Sequence, residues 1–110
     1  MSGTRTATDF FDPTLYGIFP VRPSECWGCD RPWGSCTSTA TVRRDFRRLT
    51  GRGVGKVGRL SLDLSGDLRT LGLPPAHAPE RIELCVGCAV AYMRAFNRRL
   101  AEVRASRPNR

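Results

Sequence analysis

The spacing of the cysteines constrains this chain more than any other feature. Cys26-Trp27-Gly28-Cys29 and Cys85-Val86-Gly87-Cys88 are two CxxC pairs separated by residues 30–84, and a fifth cysteine, Cys36, follows the first pair closely. Two intervening residues let the backbone turn back so that both sulfurs of a pair can reach one metal ion, and two pairs complete a tetrahedral set of soft thiolates. Each pair has glycine before its second sulfur, where a tight cysteine turn often needs a positive backbone angle. An odd cysteine count also fits metal binding better than a complete disulfide set. One structural Zn2+ per chain is therefore expected on Cys26, Cys29, Cys85 and Cys88. Cys36 either replaces Cys29 as a ligand or stays a free thiol beside the site. Four thiolates would hold an iron–sulfur cluster equally well, but nothing in the sequence marks a redox partner site. The bland alternative is a set of unrelated buried cysteines.

A metal would answer a real need. With 110 residues, 11 of them glycine and 8 proline, the chain has room for one domain with a modest core, and thin cores need a metal, a disulfide or a partner to close the stability gap. Residues 1–24 read as an extended arm whose Phe10, Phe11, Leu15, Tyr16, Ile18 and Phe19 are interrupted by proline and glycine. They serve either as a strap over the core or as a peptide that docks on a partner through residues 10–19, and the strap is the preferred reading. Residues 25–105 form the zinc domain, and 106–110 a basic tail. Within the domain, residues 38–50 read as a short helix capped by Ser38 or Thr39, with Val42, Phe46 and Leu49 on one face. Residues 59–73 read as a β-hairpin, because Leu60, Leu62 and Leu64 alternate with polar residues and Ser65-Gly66-Asp67 supplies a turn. After a short extended RIEL, residues 86–105 form the longest helix, its stripe traced by Val86, Ala89, Val90, Met93, Phe96, Leu100 and Val103.

The order of knuckle, hairpin and helix, carried by CWGC, the leucine-rich hairpin and ELCVGCA, resembles the treble-clef class of zinc fingers. The resemblance covers residues 25–105 and implies a small α+β fold with a β-hairpin, a long C-terminal helix supplying the last two ligands, and the 38–50 helix as an insertion. The stretch between the pairs is longer than such fingers usually have. Treble clefs also host HNH nucleases, but the sequence lacks their histidine and asparagine at the matching positions. The single histidine, His77, sits instead in the proline-rich PPAHAPE.

Other signals exclude more than they assign. The GRGVGK stretch at 51–56 lacks the glycine and the Ser/Thr that a Walker A loop needs, since Thr50 and Val57 stand there. No paired carboxylates, Ser–His arrangement or open metal position is evident, so a non-enzymatic chain is expected, with no small-molecule substrate. No apolar run is long enough to cross a bilayer, and the N-terminal stretch has no secretory pattern. A cytoplasmic protein, where thiols stay reduced, is the expectation.

The formal charge of +8 points to a partner. All 18 basic residues except Lys56 are arginine, a ratio that a G+C-rich genome accounts for, although the net charge is not so explained. Arg43, Arg44, Arg47, Arg48, Arg52, Lys56 and Arg59 form a dense basic stretch opposed only by Asp45. Such a stretch suits sequence-independent phosphate contacts, so a small accessory or regulatory factor that binds DNA or RNA is the leading reading. The alternative is a zinc-stabilised adaptor that docks on a larger nucleoprotein assembly, a role that would suit a phage-encoded protein. Trp27 is expected to pack over the sulfurs; Trp33 could pack there or stack on bases.

Overall fold

The structure, a computed structural model, describes residues 9–12, 15–16, 20–74 and 78–106. His77, Ile18, Phe19 and the basic tail beyond Ser106 lie outside the described residues. Among the described residues, three helices and a two-stranded antiparallel sheet follow in the order α1 (Ala40–Thr50), β1 (Arg59–Asp63), α2 (Leu64–Thr70), β2 (Arg81–Cys85) and α3 (Val86–Ala105), with 3-10 turns at Asp9–Phe11 and Trp33–Ser35. The chain is thus a small α+β protein. Among the described residues, no helix is long and apolar enough to cross a membrane.

The termini of α1 follow from local chemistry. Thr39 caps it, its hydroxyl accepting the Val42 amide at 3.2 Å, and Gly51 ends it at φ 75°, the left-handed conformation that glycine adopts without a Cβ clash. Phe46 is buried and Val42 half-buried against the core, whereas Leu49 is left 38% exposed, so the expected apolar stripe reaches the core over two turns only. Asp45 points across to α3 and pairs with Arg94 at 3.0 Å.

The hairpin differs from the expected one. Strand β1 pairs not with the residues that follow it but with β2, in the register Leu60↔Leu84, Ser61↔Glu83 and Leu62↔Ile82. The Ser65-Gly66-Asp67 segment is the first turn of α2, not a strand reversal. Two periodicities overlap here. Leu60, Leu62 and Leu64 alternate, but Leu64, Leu68 and Leu71 recur at helical spacing, and all three are buried. Asp63 resolves the competition by capping the helix, its carboxylate accepting the Gly66 amide at 3.1 Å. The short RIEL stretch is therefore a full partner strand.

Helix α3 lies against the sheet and buries Val86, Ala89, Val90, Tyr92 and Ala95. Tyr92 was absent from the stripe read off the sequence, yet it joins three parts of the molecule. Its ring sits 5.4 Å from Phe10 and 5.0 Å from Phe11, and its hydroxyl donates to Asp67 of α2 at 2.6 Å. Phe10, Phe11 and Tyr16 are all buried, Tyr16 donating to the Phe10 carbonyl at 3.1 Å. Phe10, Phe11 and Tyr16 thus form a strap over the core, and full burial of a ring such as Phe10 stabilises by about 1.5–3 kcal/mol.

The Tyr92–Asp67 bond carries a directional expectation. Burial raises the Asp67 carboxyl above its ordinary value, and the Tyr92 hydroxyl opposes that rise. Because its folded value is raised, Asp67 subtracts stability as pH climbs from the ordinary carboxylate range through the raised value. Tyr92→Phe removes the opposing donor. The Asp67 carboxyl should titrate at still higher pH, read from its side-chain carbon shift, and unfolding at neutral pH should become easier by about 1–2 kcal/mol in denaturant titrations. An unmoved Asp67 titration would show that the bond does not form in solution.

Candidate metal centre

Two pieces of backbone bring the four sulfurs together. The first is the turn around Cys26 and Cys29. Glu25 and Pro32 form a bridge across it, the Cys26 amide donates to the Arg31 carbonyl at 3.0 Å, and the Asp30 amide donates to the Cys26 carbonyl at 2.8 Å. The positive φ of this turn falls on Asp30, at 59°, and not on the glycine. The second piece is the junction of β2 with α3, where Cys85 is both the last strand residue and the N-cap of the helix. The Trp27 amide donates to the Glu83 carbonyl at 3.0 Å and so ties the first piece to the second.

The result is that the sulfurs of Cys26, Cys29, Cys85 and Cys88 all lie within 4.8 Å of one another. Sulfurs at the corners of a zinc–thiolate tetrahedron would stand about 3.8 Å apart, given Zn–S bonds of about 2.3 Å, so a small contraction of the observed cluster would close around an ion. Cys26, Cys85 and Cys88 are buried and Cys29 half-buried, and the buried Trp27 ring lies 6.3 Å from those of Phe10 and Tyr16. These four cysteines could hold a metal ion.

The hydrogen bonds distinguish two kinds of sulfur. Cys26 Sγ accepts backbone amides from Gly28 at 3.3 Å and Cys85 at 3.2 Å, the surroundings of a thiolate. The nearness of the Cys85 and Cys88 sulfurs first, and then backbone amides, lowers the Cys26 thiol below its ordinary range. The same nearness pushes Cys88 far up and Cys85 up. Cys85 and Cys88 stand at the end of α3 where free amides and the positive dipole end favour anions.

Cys36 is different. Its sulfur lies 3.7 Å from Cys29 Sγ but faces the carbonyls of Pro32 at 3.5 Å and Arg31 at 3.6 Å. Carbonyl oxygens can only accept, so this pocket suits a protonated thiol, and burial first, then the contact with Cys29, pushes the Cys36 thiol upward. Of the two alternatives the sequence leaves for Cys36, the geometry favours the free thiol.

The two knuckle glycines owe their places to different causes, and neither has a positive φ. A Cβ on Gly28 would stand 2.6 Å from both the Cβ and the sulfur of Cys88, whereas a Cβ on Gly87 would meet nothing within 4 Å. Gly28→Ala should therefore displace Cys88 and weaken metal affinity by about 10–100-fold, the cost typical of disturbing a ligand's support. Gly87→Ala should leave affinity unchanged and favour the helix slightly. Competition against a chromophoric chelator measures both, and equal losses would mean that close packing is not what glycine provides at position 28.

The basic residues split into two groups. Arg44, Arg47 and Arg48 are exposed on α1 at spacings that share one helical face, and Arg52 and Lys56 are exposed in the loop after it. That loop is tied back to the start of α1 by Ser38, whose amide and hydroxyl donate to the Lys56 carbonyl at 2.9 and 3.1 Å. Arg43 is turned inward and donates to the carbonyl and hydroxyl of Ser38. Arg59 is also engaged. It bridges Glu83 at 3.1 Å, donates to the Pro23 carbonyl at 3.3 Å and lies 4.6 Å over the Trp33 ring. The indole N–H of Trp33 donates to the Pro23 carbonyl at 2.9 Å. Asp45, the acid of this stretch, is occupied by Arg94, a partner with no local sequence signal because it lies on another helix.

Comparison with models of protein families, with curated proteins and with solved structures gives no match in any of the three.

Proposed function

We propose that this protein is a non-enzymatic accessory factor in which one zinc ion, held by Cys26, Cys29, Cys85 and Cys88 in a treble-clef-like arrangement, fixes a scaffold that presents an arginine face to the phosphate backbone of nucleic acid. The zinc reading rests on the donor set. Four clustered sulfurs, with amide donors on Cys26 and a helix N-terminus behind Cys85 and Cys88, make a closed four-thiolate site of the structural kind.

The observation that carries the binding reading is the exposed trio Arg44, Arg47 and Arg48, continued by Arg52 and Lys56, with Asp45 drawn off to Arg94. Five cations with the nearest acid neutralised form a positive surface on a chain already at +8. Guanidinium groups suit bidentate contacts to phosphate oxygens. The guanidiniums of Arg43 and Arg59 are engaged by Ser38 and by Glu83 and are less free to reach phosphate. The contacts are of the kind that binds without reading sequence. Titration of a fluorescent DNA or RNA duplex with Arg44→Gln/Arg47→Gln/Arg48→Gln/Arg52→Gln tests the assignment, and full affinity in that variant would refute it.

A further inference from the structure

The sheet has one covered edge and one open edge. On β2, the Glu83 carbonyl accepts the Trp27 amide and the Cys85 amide donates to Cys26 Sγ. These groups point away from β1, so Ser61↔Glu83 and Arg59↔Cys85 are the non-hydrogen-bonded pairs of the ladder. By the same alternation, the amide and carbonyl of Ser61 point outward from β1. Among the described residues, no group accepts from that amide or donates to that carbonyl. The Ser61 hydroxyl, on the solvent face, accepts Arg81 Nε at 3.0 Å, while Leu60 and Leu62 turn to the opposite face and are half-buried.

Beside this open edge lies a groove of about 520 Å³. Leu60 and Leu62 of β1, Phe46 of α1, Ala89 and Met93 of α3, and Arg52 line it. It is large enough to take apolar side chains, and a strand added to β1 would run about 4.8 Å from it, over the groove. We propose that the open edge of β1 accepts an extended acidic segment of a partner protein as a third strand, with alternate apolar side chains seated in this groove.

Charge selects the occupant. Arg52 lines the groove on a chain of net charge +8, so acidic side chains on the segment are attracted. A second copy of this chain would bring another +8 and be repelled. The backbone bonds to Ser61 supply affinity and the groove supplies specificity for alternation, the recognised division of labour in strand addition.

The full zinc-loaded chain can be tested with a synthetic nine-residue peptide in which valine and glutamate alternate, its ends blocked. In an added strand, valines facing the groove and glutamates facing solvent send their backbone groups to opposite edges. Methylating the amide nitrogens of one residue type should therefore reduce affinity at least about tenfold, and methylating the other should leave it unchanged. Glutamates are the sensitive set if the strand is antiparallel and valines if it is parallel. The Ser61 amide should shift in NMR spectra and exchange more slowly on binding. Ser61→Pro should abolish binding, since an edge strand tolerates proline where its missing N–H would face outward, and the methylated peptides decide the matter should that variant not fold. A lysine-for-glutamate peptide should not bind. No binding, equal losses from both methylated peptides, or shifts confined to α1 would overturn the proposal. So would a peptide-free dimer with a protected Ser61 amide, which would assign the edge to a second copy.

Discussion

Serine in place of any one of Cys26, Cys29, Cys85 or Cys88 is expected to release the metal and unfold the protein, while Cys36→Ser leaves both metal and fold in place. The size of the effect follows from how little else joins the parts. Among the described residues, the knuckle meets β2 through few backbone contacts, the Trp27 amide on the Glu83 carbonyl and the Cys85 amide on Cys26 Sγ, and a two-stranded sheet is too small to be stable alone. Structural zinc contributes about 10–16 kcal/mol of apparent binding free energy in small finger peptides. The whole stability of an ordinary domain is about 5–15 kcal/mol. Loss of one ligand therefore removes most of what holds the native state, because a serine hydroxyl keeps its proton where a thiolate is needed. Cys36 lies beside Cys29 but among carbonyl acceptors, and its replacement should cost only local packing. Elemental analysis with native mass spectrometry counts the metal, and circular dichroism follows the fold before and after a chelator. Iron in place of zinc would redirect the account to a cluster protein. Metal loss in Cys36→Ser with retention in Cys29→Ser would exchange the two roles.

The legible parts of the sequence were those where one signal acted alone. The range 86–105 for the long helix coincides with α3 because a single apolar period runs through it without a competing turn. Helix α1 was equally plain, with a capping threonine at its start and a glycine just beyond its end. The cysteine clustering was readable because CxxC is a local constraint that permits few other uses. The hairpin was misread where two periods share Leu64, and the choice between them depended on the Asp63 cap and on burial of Leu68 and Leu71. That burial is a tertiary fact with no local signature. Gly28 was located correctly for the wrong reason, since its neighbour is Cys88, far along the chain. Tyr92 and Arg94 were missed similarly, because their partners Asp67 and Asp45 lie on other helices. Exposed and engaged arginines look alike in a sequence. Only the fold separates Arg44, Arg47, Arg48 and Arg52 from Arg43 and Arg59.

That separation sharpens the second large expectation, which concerns salt. Each phosphate contact releases counterions from duplex DNA, so log affinity falls against log salt with a slope of about −0.9 per contact. If Arg44, Arg47, Arg48 and Arg52 each meet one phosphate, the quadruple glutamine variant should lose about three to four units of that slope, together with affinity by at least about a hundredfold at low salt. The loss should be uniform across unrelated sequences, because backbone contacts carry no base information. Arg43→Gln and Arg59→Gln form the necessary contrast. Their guanidinium donors are engaged by Ser38 and by Glu83, so these changes should disturb the loop tie or the strand pair and leave the slope nearly intact. Anisotropy titrations of a labelled duplex between 50 and 200 mM salt, roughly the range over which such binding weakens most visibly, give both slope and affinity. The metal content of each variant, measured alongside, confirms that the scaffold survives. A quadruple variant with an unchanged slope would remove this face from nucleic-acid binding. A slope that fell equally for Arg43→Gln would mean that Arg43 leaves Ser38 to meet phosphate, and the binding surface would then extend to the first turn of α1.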